Sequence, residues 1–499
     1  MDPRATGTGR PGISLAGMSR WRWPILLGVG LALYGGTLWN GFVWDDLLTA
    51  VRPRPVGEVL TRRTGIYYRP LVMLSFALDR AVWGDLAAGF HLTNILLHVA
   101  VAGLLGSLAA AAGVGAGAST AAALVFLAHP VQAEAVSYVS GRTDVLCALF
   151  ALLGLLAWRR AGRPFDAWTV ASAAAFAAAL LCKEAAVLLP LVLLVPGAHP
   201  SAAPPRPFLP IAVAALWVVA LATTAAPALH LADLPGRLGA IARAGLEYVR
   251  LLLWPSDLHL ERFTTVAGTA PGTAVTLVVA FLALAAGLVL LARRAPAGWL
   301  FLAIAVLAYA PVCGVVPVYP AIASRALFTP EHFLYLPLLG LAPLVVGFVA
   351  HATPPSAVRV LPAALAALVV AWGAVVVDRN RDWRDEETLF RHTVRWNPPT
   401  ARVWFNLGNL ALRRGHLEEA ADRYRAALAR EPRDAGAHLN LAITLDRMQA
   451  FTPEAERHYR EAIESDPRMR EAYRGLAAHY ANRGDMAEAR RLLAQADGS

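Results

Sequence analysis

Cysteine and charge are both scarce in this sequence. Its 499 residues include three cysteines, and Cys147, Cys182 and Cys313 stand singly in or beside apolar segments. They form neither a metal-type spacing nor a disulfide framework, so packing is their expected role. Charged residues make up only 16% of the chain against 57% hydrophobic, a balance that excludes a soluble globular protein of this length and puts most of the chain in a bilayer. A small-x-small cleavage site is also missing before Trp39, so the apolar run Pro24 to Leu38 reads as an uncleaved first span rather than a signal peptide. The apolar excess stops near residue 377, and beyond it the chain is polar and helix-prone. The expected organisation is a cytoplasmic segment 1–22, a multi-span domain 23–378 and a separate domain 379–499.

Backbone groups in hydrocarbon must be satisfied within their own segment, which makes every span a helix of about 20 residues. Candidate spans lie at about 24–38, 91–112, 119–129, 143–158, 167–182, 185–198, 208–228, 274–292, 298–312, 333–350 and 358–377, eleven in all. Threaded alternately from a cytoplasmic N-terminus carrying Arg4, Arg10, Arg20 and Arg22, they leave Arg159, Arg160, Arg163, Arg206, Arg293, Arg294 and Arg359 on the cytoplasmic side, in keeping with the positive-inside rule. The C-terminal domain then lies outside. Two stretches read as amphipathic helices lying on the membrane instead of crossing it: Leu71 to Trp83, and the segment of Arg243, Glu247 and Arg250 with an apolar face of Leu246, Val249 and Leu253.

The first span ends in Trp39-Asn40-Gly41-Phe42-Val43-Trp44-Asp45-Asp46. Tryptophans belong at the water interface, so two adjacent carboxylates are delivered just outside the hydrocarbon. A solvated loop or a helix cap is the plain alternative to chemistry. Other polar residues at the same mouth are candidates of the same kind. Arg69 in Tyr67-Tyr68-Arg69-Pro70 either snorkels to headgroups or binds phosphate. His91, Asn94 and His98 share one helix face; the two histidines are about 10.5 Å apart along the axis, too far for a metal pair, so interhelical hydrogen bonding or a substrate contact is expected. Glu134, Arg142 and Asp144 cluster in the loop His129 to Asp144, where ionisable groups are costly unless paired or in use. Lys183-Glu184 is either an interfacial pair or a phosphate contact. The last external loop carries Tyr319, Arg325, Glu331, His332 and Tyr335; guanidinium suits phosphate geometry, and a salt bridge to Glu331 is the rival role of Arg325.

After Ala401 the chain repeats. Trp404, Leu407-Gly408, Gly415, Ala420, Tyr424, Ala427 and Pro432 occupy the positions of a 34-residue tetratricopeptide repeat. Pro398, Pro432 and Pro467 recur at intervals of 34 and 35 residues. Three repeats follow, at about 401–434, 435–469 and 470–499, the second weaker with one residue extra near Phe451-Thr452-Pro453. Such arrays stack into a groove suited to extended peptide, or serve as a self-packed scaffold.

Taken together the chain resembles the transmembrane and tetratricopeptide-repeat-containing O-mannosyltransferases and their bacterial relatives. The resemblance is carried by Trp44-Asp45-Asp46, by Tyr68-Arg69-Pro70 with Phe90-His91-Leu92-Thr93-Asn94 through His98, by His129-Pro130-Val131 through Glu134 to Arg142-Thr143-Asp144, by Phe333-Leu334-Tyr335-Leu336-Pro337 and by Trp383-Arg384-Asp385. It implies an all-α, C-type glycosyltransferase fold of about eleven spans followed by an α-solenoid, in a bacterial inner membrane. It further implies a sugar donor linked to polyprenyl phosphate and an exported polypeptide acceptor held by the repeats, with no nucleic-acid partner, no defined cofactor and a divalent metal left open. By the same resemblance Asp45 would be the base and Asp46 would orient it or the sugar, while Arg69, His91, Glu134, Arg142, Asp144, Lys183, Arg325, Glu331 and His332 would serve the donor. Family members commonly have Glu-Arg-Phe where this chain has Glu331-His332-Phe333, and Arg325 or Arg142 would then supply the cation. Two other classes fit the residues: a transferase acting on a glycan or lipid, and a non-catalytic membrane scaffold.

Overall fold

The structure is a computed structural model that describes residues 15–498, apart from 52–54, 62–67, 202–203, 223–233, 267–270, 316–325, 397 and 450–451. Arg4, Arg10, Tyr67, Tyr319 and the candidate Arg325 therefore lie outside the described residues. The chain forms two compact units, Met1–Asp385 and Glu386–Ser499.

The first unit opens with α1 (Leu15–Tyr34), a 3-10 turn at Gly35–Trp39, and the short α2 (Asp46–Thr49) and α3 (Val56–Thr61). Pro70, which needs no hydrogen-bond donor at the first position, starts α4 (Pro70–Trp83). Then come α5 (Ala87–Ala111), α6 (Ala116–Ala128), α7 (Ala133–Ser137), α8 (Arg142–Trp158), α9 (Ala167–Leu180), α10 (Phe208–Ala222), α11 (Leu234–Leu253), α12 (Pro271–Arg294), α13 (Gly298–Tyr309), α14 (Tyr335–Ala352) and α15 (Leu361–Asp382). Among the described residues five stretches are long and apolar enough to cross a membrane, namely Ala87–Ala111, Val139–Trp158, Gly272–Arg294, Glu331–Ala352 and Val358–Asp382; five more apolar helices are shorter. On α12, Val275, Val279 and Leu282 are at least 60% exposed, and Val370 on α15 is 73% exposed. Continuous apolar surface of this kind needs lipid rather than water against it. The chain is a membrane protein.

Within the unit α5 is central, packing against α1, α4, α6 and α8. Close helix contacts rest on small residues, as expected where lipid offers no hydrophobic drive to associate: a Cβ on Gly340 of α14 would fall 2.2 Å from the Phe301 carbonyl of α13.

Several expectations need correction. The segment read as a span at 185–198 is not α-helical; Glu184–Leu194 is a 3-10 helix with Pro190 inside it. Eleven residues at about 2.0 Å each give about 22 Å, shorter than the roughly 30 Å hydrocarbon core. The final helix runs past 377 to Asp382, so the expected boundary at 378 falls inside it. The fold is also not purely helical. Strand β1 (Phe263–Thr265) pairs antiparallel with β2 (Ala326–Phe328), Phe263 opposite Phe328 and Thr265 opposite Ala326. The stretch 71–83 is helical, as α4, which buries Val72, Phe76 and Asp79 and leaves the apolar Leu78 and Val82 exposed.

In the second unit, α16 (Glu386–Val394) precedes three helix pairs: α17 (Arg402–Arg413) with α18 (Leu417–Leu428), α19 (Ala435–Met448) with α20 (Pro453–Ser465), and α21 (Arg470–Arg483) with α22 (Met486–Gly498). The small-against-aromatic rule of these repeats is visible at Gly408, where a Cβ would lie 2.6 Å from the ring of buried Tyr424.

Candidate active site

The first loop is tied down by a single asparagine that sequence reading overlooked. Asn380 near the end of α15 donates to the Leu33 carbonyl at 2.8 Å and accepts from Ser137 Oγ at 2.6 Å, while its own carbonyl accepts from the Asn40 side chain at 3.0 Å. Three segments distant in sequence meet there. The backbone then turns through Trp44 at φ 52°, a left-handed conformation costly for a bulky residue and commonest at functional sites. The Trp44 indole stacks on Tyr138, and Tyr138 on Trp383, with centroids 6.4 and 5.2 Å apart.

The two acids after Trp44 are unlike each other. Asp46 is fully buried. Its Oδ1 accepts from Ser140 N at 2.8 Å and Ser140 Oγ at 2.6 Å, and its Oδ2 from Val43 N at 3.1 Å. Burial pushes its pKa up to about 7 despite those bonds. Asp46 thus latches the first loop to the loop before α8. Asp45 is only half-buried, and its side chain does not cap α2.

Arg142 is completely buried, with its Nη2 2.5 Å from Asp79 Oδ2. It also donates to Asn94 Oδ1 at 2.6 Å and the Phe90 carbonyl at 2.9 Å, and its guanidinium lies 4.7 Å from the Phe76 centroid. These contacts join α4, α5 and α8, the ion-pair alternative rather than an open phosphate site. Asn94 donates to the Val136, Tyr138 and Val139 carbonyls, and His98 links Tyr335 Oη at 2.8 Å to the Leu127 carbonyl at 3.2 Å. Both serve interhelical bonding. His91 differs: it is 1% exposed and lies against the Asn40–Gly41 backbone.

The adjacent Lys183 and Glu184 each pair elsewhere. Lys183 Nζ lies 2.6 Å from Asp144, both buried, and Arg69 holds Glu184 through Nε at 3.2 Å and Nη2 at 2.6 Å. Lys183 Nζ also sits 5.6 Å over the Phe333 ring, next to His332. His332 Nδ1 is 2.8 Å from Glu134 Oε1, and its backbone N–H donates to Oε2 at 3.0 Å. Burial pulls the Glu134 pKa up, but His332 and Arg379 override it and hold the carboxyl below its usual range.

Glu331 is wholly buried between two arginines, Arg379 at 3.6 Å and Arg262 at 3.8 Å. Neither was a candidate from sequence: Arg262 reaches Glu331 because β1 and β2 pair, and Arg379 because α15 continues beyond the apolar run. Arg379 also lies 5.4 Å from the Trp383 ring, and although it is 3% exposed its Nε has no hydrogen-bond acceptor among the described residues, while Nη2 faces Glu331. A continuous band therefore runs from the Asp45 turn through Tyr138, Trp383 and Arg379 to Glu331, Glu134–His332 and Lys183–Asp144.

Residues 401–434 match the tetratricopeptide repeat family model. Protein O-mannosyl-transferase TMTC3 of Homo sapiens is 24% identical over 89% of this chain and 55% of its own length. The Drosophila melanogaster protein of the same name is 26% identical over 79% of the chain and 52% of its length. Protein O-mannosyl-transferase TMTC2 of Homo sapiens is 35% identical over 32% of the chain and 22% of its length. The chain is similar to these transferases. It spans about half the length of the curated relatives it matches over most of its own residues.

The structure brings Glu134, Asp144, Lys183, Glu331 and His332 into one band, puts Asp46 and Arg142 into buried latches, and sets Arg69 on Glu184. Residues missed from sequence are Asn380, Arg379, Arg262, Ser140 and Asp79. The sole sequence signal for Arg379 was its i,i+3 spacing to Asp382, realised at 2.8 Å.

Proposed function

We propose that this protein is an integral-membrane glycosyltransferase that moves mannose from a polyprenyl-phosphate donor to Ser/Thr hydroxyls of exported polypeptides. The observation that carries the reading is the alignment of 89% of the chain with a protein O-mannosyl-transferase. The proposal includes a C-type multi-span fold in a bacterial inner membrane, a cytoplasmic N-terminus, and extracytoplasmic repeats that hold the acceptor.

Asp45 is the general base in this account. Both Asp46 oxygens are engaged by Ser140 and Val43, so Asp46 fixes the turn while Asp45, half-buried on the strained corner, meets the acceptor. As the acceptor oxygen bonds to the anomeric carbon, its proton passes to Asp45 and the bond from that carbon to the phosphate oxygen breaks, releasing polyprenyl phosphate. A positioned base of this kind contributes typically 10²–10⁴-fold. The leaving phosphate needs charge stabilisation, and Arg379 fits that role because, besides its ion pairs with Glu331 and Asp382, its buried Nε has no hydrogen-bond acceptor among the described residues. His332 and Lys183 flank it. Arg69 and Arg142 act by holding Glu184 and Asp79.

The test is transfer of hexose from polyprenyl-phosphate mannose to a Ser/Thr peptide by the purified protein in nanodiscs, with mass spectrometry of exported proteins from cells with and without the gene. Loss of hexose from Ser/Thr peptides in the deletion supports the reading. An unchanged exported glycoproteome together with hexose on a glycan or lipid would replace it.

A further inference from the structure

The second repeat departs from the first at one pair of facing positions. In the first repeat, Trp404 on α17 is covered by Arg423 of α18, with the guanidinium 5.8 Å from the ring centroid. Moving on by one repeat of 34 and 35 residues respectively leads to His438 on α19 and His458 on α20. One turn after His458, on the same helix face, stands Glu461.

These three residues converge. His438 Nδ1 is 3.0 Å from His458 Nδ1, and Glu461 Oε2 is 2.7 Å from His458 Nδ1 and 3.1 Å from His438 Nδ1. Both imidazole side chains are about nine-tenths buried, at 8% and 10% exposure, while Glu461 at 37% opens the site towards solvent. The tautomer of His438 is fixed by its other nitrogen. Nε2 lies 2.9 Å from the Pro432 carbonyl, which can only accept, so Nε2 carries the proton and Nδ1 turns a lone pair into the triangle. An ionised Glu461 likewise offers only lone pairs. Two acceptors thus face each other at 3.1 Å, and something positive belongs between them.

One proton on His458 Nδ1 would have to be shared between both acceptors. A divalent cation instead uses all three lone pairs at once. Two histidines and one carboxylate are a ligand set of the zinc class, with bonds of about 2.0–2.2 Å and a fourth position for water. Tetrahedral ligation at such lengths separates ligand atoms by about 3.4 Å, so each contact here opens by less than about 1 Å to admit the ion. The outer partners also suit metal ligands: Pro432 orients His438, and Glu454 Oε1 lies 4.0 Å from the outer Nε2 of His458.

We propose that His438, His458 and Glu461 form a zinc-class metal site that clips α19 to α20 in the second repeat. It is separate from the transfer chemistry, and its test does not depend on that activity. Full-length protein in nanodiscs, stripped with chelator, is titrated with Zn²⁺ by calorimetry and with Co²⁺ by visible absorption. Wild type should bind an equivalent of Zn²⁺ that is lost in the variants, give tetrahedral-type Co²⁺ bands, and unfold at a higher temperature with Zn²⁺. His438→Tyr supplies the aromatic that the third repeat carries as Tyr473, and Glu461→Gln preserves shape. Each should weaken binding at least about 10-fold and abolish the thermal shift. Where His438→Tyr does not fold, Glu461→Gln decides. Absence of Zn²⁺ binding in wild type, or equal affinity and thermal shift in Glu461→Gln, would show that a proton fills the triangle and overturn the proposal.

Discussion

Replacing Asp46 by alanine removes the acceptor for Val43 N–H, Ser140 N–H and Ser140 O–H together. The hydroxyl has a second partner, Thr49 Oγ at 2.7 Å, so the main loss is at the two backbone donors. A donor left without an acceptor costs about 1–3 kcal/mol; two cost about 2–6, and the lower end is expected because Ser140 N–H is only part-buried. The Trp44 turn stores a further cost of about 1–3 kcal/mol that the latch has been holding. The effect should be local opening rather than global unfolding. Hydrogen exchange by mass spectrometry on protein in nanodiscs reads it directly. Peptides covering Val43 and Ser140 should exchange about 30-fold faster, the equivalent of 2 kcal/mol, while peptides from α13 and α14 stay unchanged. Ser140→Ala, which removes only the hydroxyl, should have a smaller effect. Unchanged exchange around Val43 in Asp46→Ala would refute the latch and the division of labour between the two acids.

The raised pKa of Asp46 has a signed consequence. Because its folded value of about 7 lies above its ordinary 3.8, the fold favours the protonated form, and stability from this group is full below about 4 and lost as pH rises to about 7. Asp46→Asn should lack that component, so the unfolding temperature of wild type should fall relative to that of Asp46→Asn as pH rises from about 4 to about 7; a pH-independent difference would contradict the assignment. Lys183→Met leaves Asp144 buried without its partner and should cost about 3–5 kcal/mol, with Lys183→Met/Asp144→Leu recovering most of it in thermal unfolding. Additive losses in the double variant would show that the two do not act as a pair. Deleting 401–499 should spare binding of polyprenyl-phosphate sugar yet sharply lower transfer to protein acceptors; full transfer by the truncated enzyme would reduce the repeats to a structural role.

Apolar runs and repeat spacing made most helices readable, because lipid exposure and interlocked small and aromatic residues leave periodic traces. Pairing partners left none. Lys183 and Glu184 are neighbours in sequence, yet one turns to Asp144 and the other to Arg69. Arg379 fell at the start of the expected second domain because hydropathy falls at 377, although backbone bonding carries the helix on to Asp382. Arg262 became a neighbour of Glu331 only through a ribbon of three-residue strands, too short to announce itself. The 3-10 stretch Glu184–Leu194 has the composition of a span but not its geometry. In the repeats, the second read only as weaker with one residue extra, whereas the structure puts His438 against His458 and Glu461.

The central claim is that Asp45 accepts the proton, and its most direct test is the transfer rate of Asp45→Asn. An amide keeps the shape but cannot take a proton at neutral pH. With purified protein in nanodiscs, polyprenyl-phosphate mannose and a Ser/Thr peptide, transfer should fall at least about 10²-fold, while donor binding and exchange around Val43 stay at wild-type levels. Full transfer by Asp45→Asn, with Asp46→Asn inactive and its turn still closed, would contradict the account.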